Sequence, residues 1–136
     1  MQNNFSVISD NASIGNNVKI GRFCIIDENS VIEDDVVLED HVIILSGAII
    51  GQKTKIGPFS KIGKNVTIGK ECRFSAYCEI RENCKLGNYV SMGSRGTLAS
   101  GTVVEDNVIM KYSFVATDIP VLKEGDVKKS CLLKRE

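Results

Sequence analysis

The sequence has no excess charge of either sign and no long apolar run. Seventeen acidic residues balance seventeen basic ones, so the charge of the whole chain favours neither nucleic acid nor an anionic membrane as a partner. No run of eighteen apolar residues occurs, so we expect no membrane-spanning helix. The opening segment MQNNFSV has neither a basic start nor an apolar core, so we expect no secretion signal and a cytoplasmic protein.

Cysteine pairs with the spacing of a zinc site or a disulfide framework are also missing. The five cysteines include no CxxC pair, so we expect no zinc site. Cys72, Cys78 and Cys84 instead follow one another every six residues. A buried free cysteine behaves as a small hydrophobic residue. We therefore interpret these cysteines as core residues of a protein from a reducing compartment.

A period of six residues runs through most of the chain. Eighteen consecutive positions, each six residues after the last, carry a large apolar side chain, from Ile8 to Met110. A helix would show spacings of three and four, and a half-buried strand would show simple alternation. A period of this kind indicates a repeat architecture built from many short and similar units.

The residue types indicate that each six-residue unit is one short strand and one corner. Glycine follows the large apolar residue at eight positions, and asparagine often comes next, as in IGNN and IGKN. Both residue types accept a positive φ at little cost and are typical of tight corners. A smaller residue such as Val18, Cys24 or Thr54 stands four positions after each large one. We expect the large and the small residues to point into one common core.

This pattern of an aliphatic residue, glycine or an acid, and then a small residue resembles the hexapeptide-repeat acyltransferases over residues 8–120. The resemblance implies an all-β fold, a left-handed parallel β-helix of triangular cross-section with about six coils of eighteen residues. It also implies a homotrimer that moves an acyl group from acyl-CoA or acyl carrier protein to an amine or a hydroxyl. Residues 121–136 would form a C-terminal tail, in which a short capping helix after Asp126 would pack down Val127, Leu132 and Leu133.

Two segments sharpen this resemblance. Residues 11–26, NASIGNNVKIGRFCII, resemble the opening coils of the UDP-N-acetylglucosamine acyltransferases of lipid A synthesis. Residues 91–120 resemble the closing coils of sugar acetyltransferases and finish with the sequence DIP, which usually ends the β-helix there. The G-x-P-A-K tail that often follows DIP is absent. Because one fold serves many functions, the activity depends on individual residues.

The single histidine, His41, does not stand where the family keeps its catalytic base. That base is usually a histidine that takes the proton from the attacking acceptor. It lies two residues after a large apolar residue, whereas His41 lies three after Leu38. Steps of eighteen residues place His41 in one column with Phe23, Phe59, Tyr77 and Arg95. We therefore interpret His41 as part of an aromatic ladder that holds one edge together.

Residues 80–88, IRENCKLGN, resemble the catalytic segment I-x-H-D-C-x-[I/V]-G-[D/N] of two sister families, the lipid A acyltransferases and the sialic-acid and bacillosamine-type acetyltransferases. Glu82 stands in place of the histidine, and Asn83 stands in place of the aspartate. The resemblance gives Glu82 the role of accepting a proton or holding the acceptor amine, with Asn83 shaping the corner. In a second layout the base position falls at Ser94. The alternative is that Glu82 is a solvated surface residue.

A basic band between residues 53 and 85 surrounds this segment. Its functional interpretation is a cationic surface for a phosphorylated ligand, and the alternative is a solvated surface of mixed charge. We expect contacts to a phosphate or to the acceptor from Lys64, Arg81 and Lys85. Arg81 or Lys85 would also adjust the charge state of Glu82.

The acyl donor is expected in a groove beside Ser94, Arg95, Ala99 and Ser100. Small side chains there would let a pantetheine arm approach the backbone amides. Arg95 would offer a partner for a phosphate of the donor.

The sequence therefore predicts an acyltransferase that uses acyl-CoA as co-substrate and holds no tightly bound cofactor. Its acceptor would be an amino sugar or a sugar nucleotide, and its acyl group would be acetyl. The alternative is a catalytically inactive left-handed β-helix that serves as an assembly or scaffold subunit. A γ-type carbonic anhydrase shares the fold but needs three histidines for its metal, so we expect no metal site in a chain with one.

The outward position of each unit predicts where copies of the chain meet. It is apolar towards both ends of the repeat and polar in the middle. Exposed apolar patches of this size mark interfaces. We expect a homotrimer whose contacts use Ile25, Val31, Ile43, Ile49 and Val103.

Overall fold

The structure is a computed structural model that describes residues 4–111, 115–116, 121–125 and 132–133. Within these residues, strands of two residues alternate with short bends, and each strand pairs in parallel with the strand one coil away. Val7 thus lies beside Ile25, and Ile25 lies beside Ile43. The predicted all-β fold, a left-handed parallel β-helix of about six coils, is confirmed.

The strands form three sheets, which are the sides of the triangular coil. The first sheet contains Val7–Ile8 (β1), Ile25–Ile26 (β4), Ile43–Ile44 (β7), Lys61–Ile62 (β10), Glu79–Ile80 (β13), Thr97–Leu98 (β16), Val115–Ala116 (β19) and Leu132–Leu133 (β21). The second contains Ser13–Ile14 (β2), Val31–Ile32 (β5), Ile49–Ile50 (β8), Thr67–Ile68 (β11), Lys85–Leu86 (β14), Val103–Val104 (β17) and Val121–Leu122 (β20). The third contains Lys19–Ile20 (β3), Val37–Leu38 (β6), Lys55–Ile56 (β9), Arg73–Phe74 (β12), Ser91–Met92 (β15) and Ile109–Met110 (β18).

Three corners connect the sheets, and each is named here after the sheet that precedes it. The first corner follows a strand of the first sheet, and the third corner leads from the third sheet into the next coil. The backbone adopts a positive φ at the third residue of a corner, for example 58° at Asn17 and 61° at Asn29. The sequence predicted corners at the right places, and the positive φ falls on their third residue, which is often asparagine, and not on the glycine that opens the corner.

The glycine that opens a corner is required by the next coil. A Cβ on Gly63 would lie 2.7 Å from the carbonyl carbon of Arg81 and 2.7 Å from the amide nitrogen of Glu82. The backbone of the following coil occupies that space. Glycine at this position therefore allows consecutive coils to approach each other closely.

The core runs along the axis of the β-helix. The large inward residues from Ile26 to Met110 are buried, and so are the small inward residues between them. Cys78 belongs to the second group, and its Sγ donates to the carbonyl oxygen of Gly93 at 3.3 Å. Burial raises the pKa of the Cys78 thiol to about 11, so this thiol stays protonated at neutral pH. The interpretation of Cys72, Cys78 and Cys84 as core residues is confirmed.

The first coil differs from the rest of the core. Ile8 and Ile14 point inward, but their exposed fractions are 40 % and 37 %. They face the open end of the β-helix, whereas the corresponding residues of the next coil, Ile26 and Ile32, have an exposed fraction of 1 %. The expectation that every large repeat residue is buried therefore holds only from the second coil onwards.

The strand pairing continues into the predicted tail. Val121–Leu122 pairs with Val103–Val104, and Leu132–Leu133 pairs with Val115–Ala116. Leu132 and Leu133 thus extend the first sheet and do not lie on a capping helix, and the described residues contain no helix. Residues 126–131, where that helix was expected to begin, lie outside the described residues. The division into a repeat over 8–120 and a tail over 121–136 stays a prediction.

A column of flat rings runs along the third corner. Neighbouring rings are stacked with centroids 4.7 to 5.4 Å apart, in the order Phe5, Phe23, His41, Phe59 and Tyr77. The guanidinium carbon of Arg95 lies 4.8 Å from the centroid of the Tyr77 ring. The aromatic ladder predicted from steps of eighteen residues is present.

We predict that His41→Asn lowers the melting temperature and affects activity less. The change removes two ring contacts, each worth ~0.5–1.5 kcal/mol in typical aromatic pairs. Asparagine tolerates the φ of 59° at this position, so the backbone is retained and the loss reports on stacking. Thermal unfolding followed by circular dichroism measures the effect. His41→Phe, which keeps a flat ring, is the control and should melt like the parent. Parent-like melting of His41→Asn would contradict a stabilising role for the ladder.

Candidate functional site

The residue predicted to handle the acceptor lies at the first corner of the β-helix. Lys64, Glu82 and Ser100 occupy the same place in consecutive coils. Ser100 is 18 residues after Glu82, and its Oγ donates a hydrogen bond of 2.5 Å to Glu82 Oε1. The pair is at the surface, so a ligand can reach both side chains.

The hydrogen bond from Ser100 is the largest effect that holds the pKa of Glu82 below its ordinary value. A bond from the Glu82 amide and the positive charges of Arg81 and Lys64 act in the same direction. Glu82 is therefore a carboxylate at neutral pH and a weaker base than an unperturbed glutamate. A carboxylate of this kind is better suited to hold a positively charged amine than to take a proton from a hydroxyl.

Asn83 occupies the bend of the same corner. Its φ is 64°, and its amide donates to the carbonyl oxygen of Lys64 at 2.9 Å. Asn65, one coil earlier, also has a positive φ, of 58°. These contacts agree with a role for Asn83 in backbone geometry.

A cavity of about 230 Å³ opens beside Glu82. Its lining consists of Leu45, Lys61, Gly63, Lys64, Glu79, Ile80, Arg81 and Glu82. The structure thus brings together three of the residues singled out in the sequence, which are Glu82, Arg81 and Lys64. Three basic and two acidic residues line the cavity, so it offers partners for both signs of charge.

Sequence reasoning missed two members of this cavity, Lys61 and Glu79. They are direct neighbours on the first sheet, and Glu79 Oε2 lies 3.8 Å from Arg81 Nε. Both hold the outward position of their strand in the polar middle of the repeat and lie within the basic band of residues 53–85, but neither was named as a site residue. Placing residues 18 apart in one column would have shown that this part of the sheet adjoins the corner of Glu82.

The other basic candidate, Lys85, lies outside this cavity. It is the first residue of β14 on the second sheet, beyond the first corner. Ala99 and Ser100 are at the first corner, one coil after Arg81 and Glu82. The carbonyl oxygen of Ala99 accepts a bond from the buried Cys84 thiol at 3.1 Å.

The four residues predicted to bind the acyl donor are divided between two corners. Ser94 and Arg95 belong to the third corner, and Ala99 and Ser100 belong to the first, with strand β16 between them. Arg95 also stacks on Tyr77 at the end of the aromatic ladder. A ligand that contacts all four must cross the outer face of β16.

The described residues hold no group of three or more histidine, cysteine or acidic side chains that could bind a metal ion. The same part of the chain contains no helix with the length and apolar character of a membrane span.

The outward apolar residues form a patch around the first corner of the early coils. Ile25 and Ile43 lie on the first sheet, and Val31 and Ile49 lie on the second. Each of the four side chains is partly or fully exposed. Val103 lies on the second sheet, several coils away from this patch.

Comparison with known proteins gives one family match. A family model described as the GMPPB C-terminal domain matches residues 2–74. No curated protein matches the sequence.

Solved structures with a similar fold include acyltransferases. A UDP-N-acetylglucosamine acyltransferase is 15% identical with a TM-score of 0.60, and the match covers 88% of this chain and 69% of the other. A variant of the GDP-perosamine N-acetyltransferase from Caulobacter crescentus, solved with CoA and GDP-perosamine, is 21% identical with a TM-score of 0.68. That match covers 93% of this chain and 51% of the other, so the chain spans about half the length of that enzyme. At these identities the likeness establishes the fold, and it confirms the resemblance found in the repeat.

We predict that Ser100→Ala raises the pKa of Glu82 towards its ordinary value, because the largest effect that lowers it is removed. The pKa can be followed through the side-chain carboxyl carbon in an NMR titration. Ser91→Ala, which changes an outward hydroxyl on the third sheet, is the control. An unchanged Glu82 titration in Ser100→Ala would contradict the pairing.

Proposed function

The chain belongs to the family of the GMPPB C-terminal domain, and we propose that it transfers an acetyl group from acyl-CoA to an amino sugar or sugar nucleotide. The observation that carries this proposal is the cavity at the first corner, which is lined by three basic residues and by Glu82, whose carboxylate accepts a hydrogen bond from Ser100. A ligand with an amino group and a phosphate finds partners for both there. The likeness in fold to acyltransferases supports the same reaction class.

The proposed role of Glu82 is to bind and orient the acceptor amine. The ammonium form pairs with the carboxylate and gives one proton to solvent before attack. The nitrogen then forms a bond to the thioester carbon, and the bond from that carbon to sulfur breaks. The second proton leaves the nitrogen and is taken up by the CoA thiolate, which leaves as a thiol. Glu82 remains ionised throughout, which its lowered pKa favours.

The other cavity residues have separate proposed roles. Lys64 and Arg81 contact a phosphate of the acceptor, and Lys85 extends the positive surface on the next sheet. Leu45, which is partly exposed, provides an apolar contact for the face of a sugar ring. Asn83 keeps the corner in the shape that aims Glu82.

The acyl donor is proposed to lie along the outer face of β16. Ala99 and Ser100 are near the thioester, and Ser94 and Arg95 are near the phosphates. In this arrangement acyl-CoA is a co-substrate and not a tightly bound cofactor. We propose a cytoplasmic location, where acyl-CoA is available.

The proposed assembly is a homotrimer. The apolar patch around the first corner contains Ile25, Val31, Ile43 and Ile49, and burial of such side chains favours association by ~25 cal/mol per Å² of apolar surface. Val103 would contribute a second contact farther along the second sheet.

A non-catalytic assembly or scaffold subunit is the second candidate function. It is favoured by the replacement of the usual histidine by Glu82 and by the lowered pKa of that residue. The family match, whose description names a domain and no acyl chemistry, is compatible with it.

We predict that Glu82→Gln lowers turnover at least tenfold while the fold and donor binding are retained. Loss of the group that positions a reactant can cost about 10²-fold in rate. The assay follows free CoA from acetyl-CoA with a panel of amino sugars and sugar nucleotides. Glu105→Gln, an exposed glutamate at the second corner, is the matched control and should react like the parent. Parent-level turnover in Glu82→Gln would remove the proposed role, and no CoA release with any acceptor would favour the scaffold.

We predict that Ile49→Glu dissociates the homotrimer, because it places a charge in the apolar patch. Analytical ultracentrifugation at micromolar concentration measures the mass. Ile109→Glu is the control, since Ile109 is 53 % exposed but lies on the third sheet, outside the patch. A parent chain that sediments as a stable monomer would rule out the trimer.

A further inference from the structure

A second cavity lies between the third sheet and the third corner, away from the cavity of Glu82. Its volume is about 320 Å³. Its lining consists of Glu39, Lys55, Gly57, Pro58, Arg73, Phe74, Ser75 and Ala76. Ser94 lies one coil after Ala76, 18 residues later.

The corners of this β-helix share a way of binding an oxygen atom. In four corners, the amide of the second residue donates to a side-chain oxygen of the residue 18 positions later, at 2.7 to 3.0 Å. These amides and their acceptors are Asn16 with Asp34, Arg22 with Asp40, Lys70 with Asn88, and Asn88 with Asp106. The position above such an amide binds an oxygen in these four corners, whereas at Glu28, Ser46 and Lys64 the equivalent amide donates to no acceptor among the described residues.

Asp40 shows that this position favours negative charge. The pKa of its carboxyl is held below its ordinary value, first by the hydrogen bond from the Arg22 amide and then by the Arg22 side chain. The Arg22 guanidinium also contacts the second oxygen of the same carboxylate at 3.0 Å. A corner amide with a nearby cation thus stabilises an anion.

Ala76 is the equivalent residue in the corner that borders the second cavity. The residue 18 positions later is Ser94, and within the described residues the Ala76 amide donates to no acceptor. This corner therefore has the backbone N–H. It lacks the aspartate or asparagine side-chain oxygen that accepts from that N–H in the four corners described above. Ser75 and Ala76 both line the cavity.

The side chains around this amide carry positive charge. Arg73 and Ser75 are two residues apart and project to the same side of the chain. Arg73 forms no ion pair within the described residues, and Lys55 is its neighbour on the third sheet. Glu39 Oε2 lies 3.6 Å from Lys55 Nζ and is the one carboxylate of the lining. The carboxylate of Asp40, two coils from Ala76, is engaged by Arg22.

We propose that this second cavity is a binding site for a phosphate group. One phosphate oxygen accepts from the Ala76 amide and the Ser75 hydroxyl, in the place that Asp40 fills above Arg22. The guanidinium of Arg73 binds a second oxygen, and Lys55 turns from Glu39 to the third. A terminal phosphate monoester fits this set best, because its dianion offers three oxygens and the cavity opens to solvent.

This phosphate site lies at the third corner and is therefore separate from the acceptor cavity of the proposed function, which lies at the first corner. Two sources of the phosphate are chemically equivalent here. One is the acyl donor, whose proposed path passes Ser94, and the other is an independent phosphorylated metabolite. The binding measurements below involve no turnover, so their failure and the failure of acyl transfer can be told apart.

The direct test is an NMR titration of the ¹⁵N-labelled full chain with inorganic phosphate at constant ionic strength. We expect the Ala76 and Ser75 amide signals to shift with phosphate and not with chloride. In Arg73→Ala the affinity should fall about tenfold or more, the size of one charge-assisted hydrogen bond. Shifts spread over the surface lysines without Ala76 would overturn the proposal.

Two further variants test the amide itself by calorimetry with phosphate. Ala76→Pro removes the N–H, and the corner should accept it because Pro58 holds the equivalent position one coil earlier. Ser94→Asn supplies an internal oxygen, as Asn88 does above Lys70, without a change in charge. Both variants should lose binding while their melting temperature stays at or above that of the parent. Unchanged phosphate affinity in these two variants would contradict the assignment.

Competition between ligands distinguishes the sources. If CoA binds with higher affinity than dephospho-CoA, and this difference in affinity disappears in Arg73→Ala, the phosphate comes from the acyl donor. Equal binding of the two, with displacement by a hexose phosphate, identifies an independent ligand. If inorganic phosphate binds and none of these compounds displaces it, the position is only an ion contact and the proposed ligand site is wrong.

Discussion

The constraint on which this molecule depends is the register that stacks each residue on the one 18 positions away. Backbone hydrogen bonds between coils maintain this register along the chain. The Ile25 amide, for example, donates to the carbonyl oxygen of Val42, and the Ile43 amide donates to the carbonyl oxygen of Ser60. A one-residue slip would turn every inward side chain outward. The register therefore requires that large residues fill the core, that glycine opens a corner where coils approach closely, and that flat rings stack in one column.

The same register builds the functional surfaces. Ser100 reaches Glu82 because the two are one coil apart, and Lys61 adjoins Glu79 for the same reason. The residues that form a site on this fold are thus stacked 18 positions apart in the sequence and do not come from a single loop. A change of one residue type in a column, such as Ser94 where other corners have aspartate or asparagine, leaves a binding position open.

The repeat made most of the fold predictable, because its period determines both the core and the corners. The buried cysteines and the ladder around His41 followed from the same periodicity. The exposure of Ile8 and Ile14 did not, since a repeat pattern carries no information about which coil lies at an end. The site was predicted less completely. Glu82, Arg81 and Lys64 share a cavity, whereas the candidate donor residues lie on two corners with strand β16 between them. The free Ala76 amide was not predicted, because Ser94 stands over it only once residues 18 apart are stacked, and within the described residues no other acceptor reaches it.

The most direct test of this account is the unfolding of two deletion variants, followed by circular dichroism. Removal of residues 61–78 takes out one complete coil and joins Ser60 to Glu79 in register. Removal of residues 61–77 takes out one residue fewer, which turns Glu79 into the core. The account predicts a β-sheet spectrum and a single cooperative transition for the first variant, and loss of that transition for the second. Similar behaviour of the two variants would contradict the claim that an 18-residue register holds the molecule together.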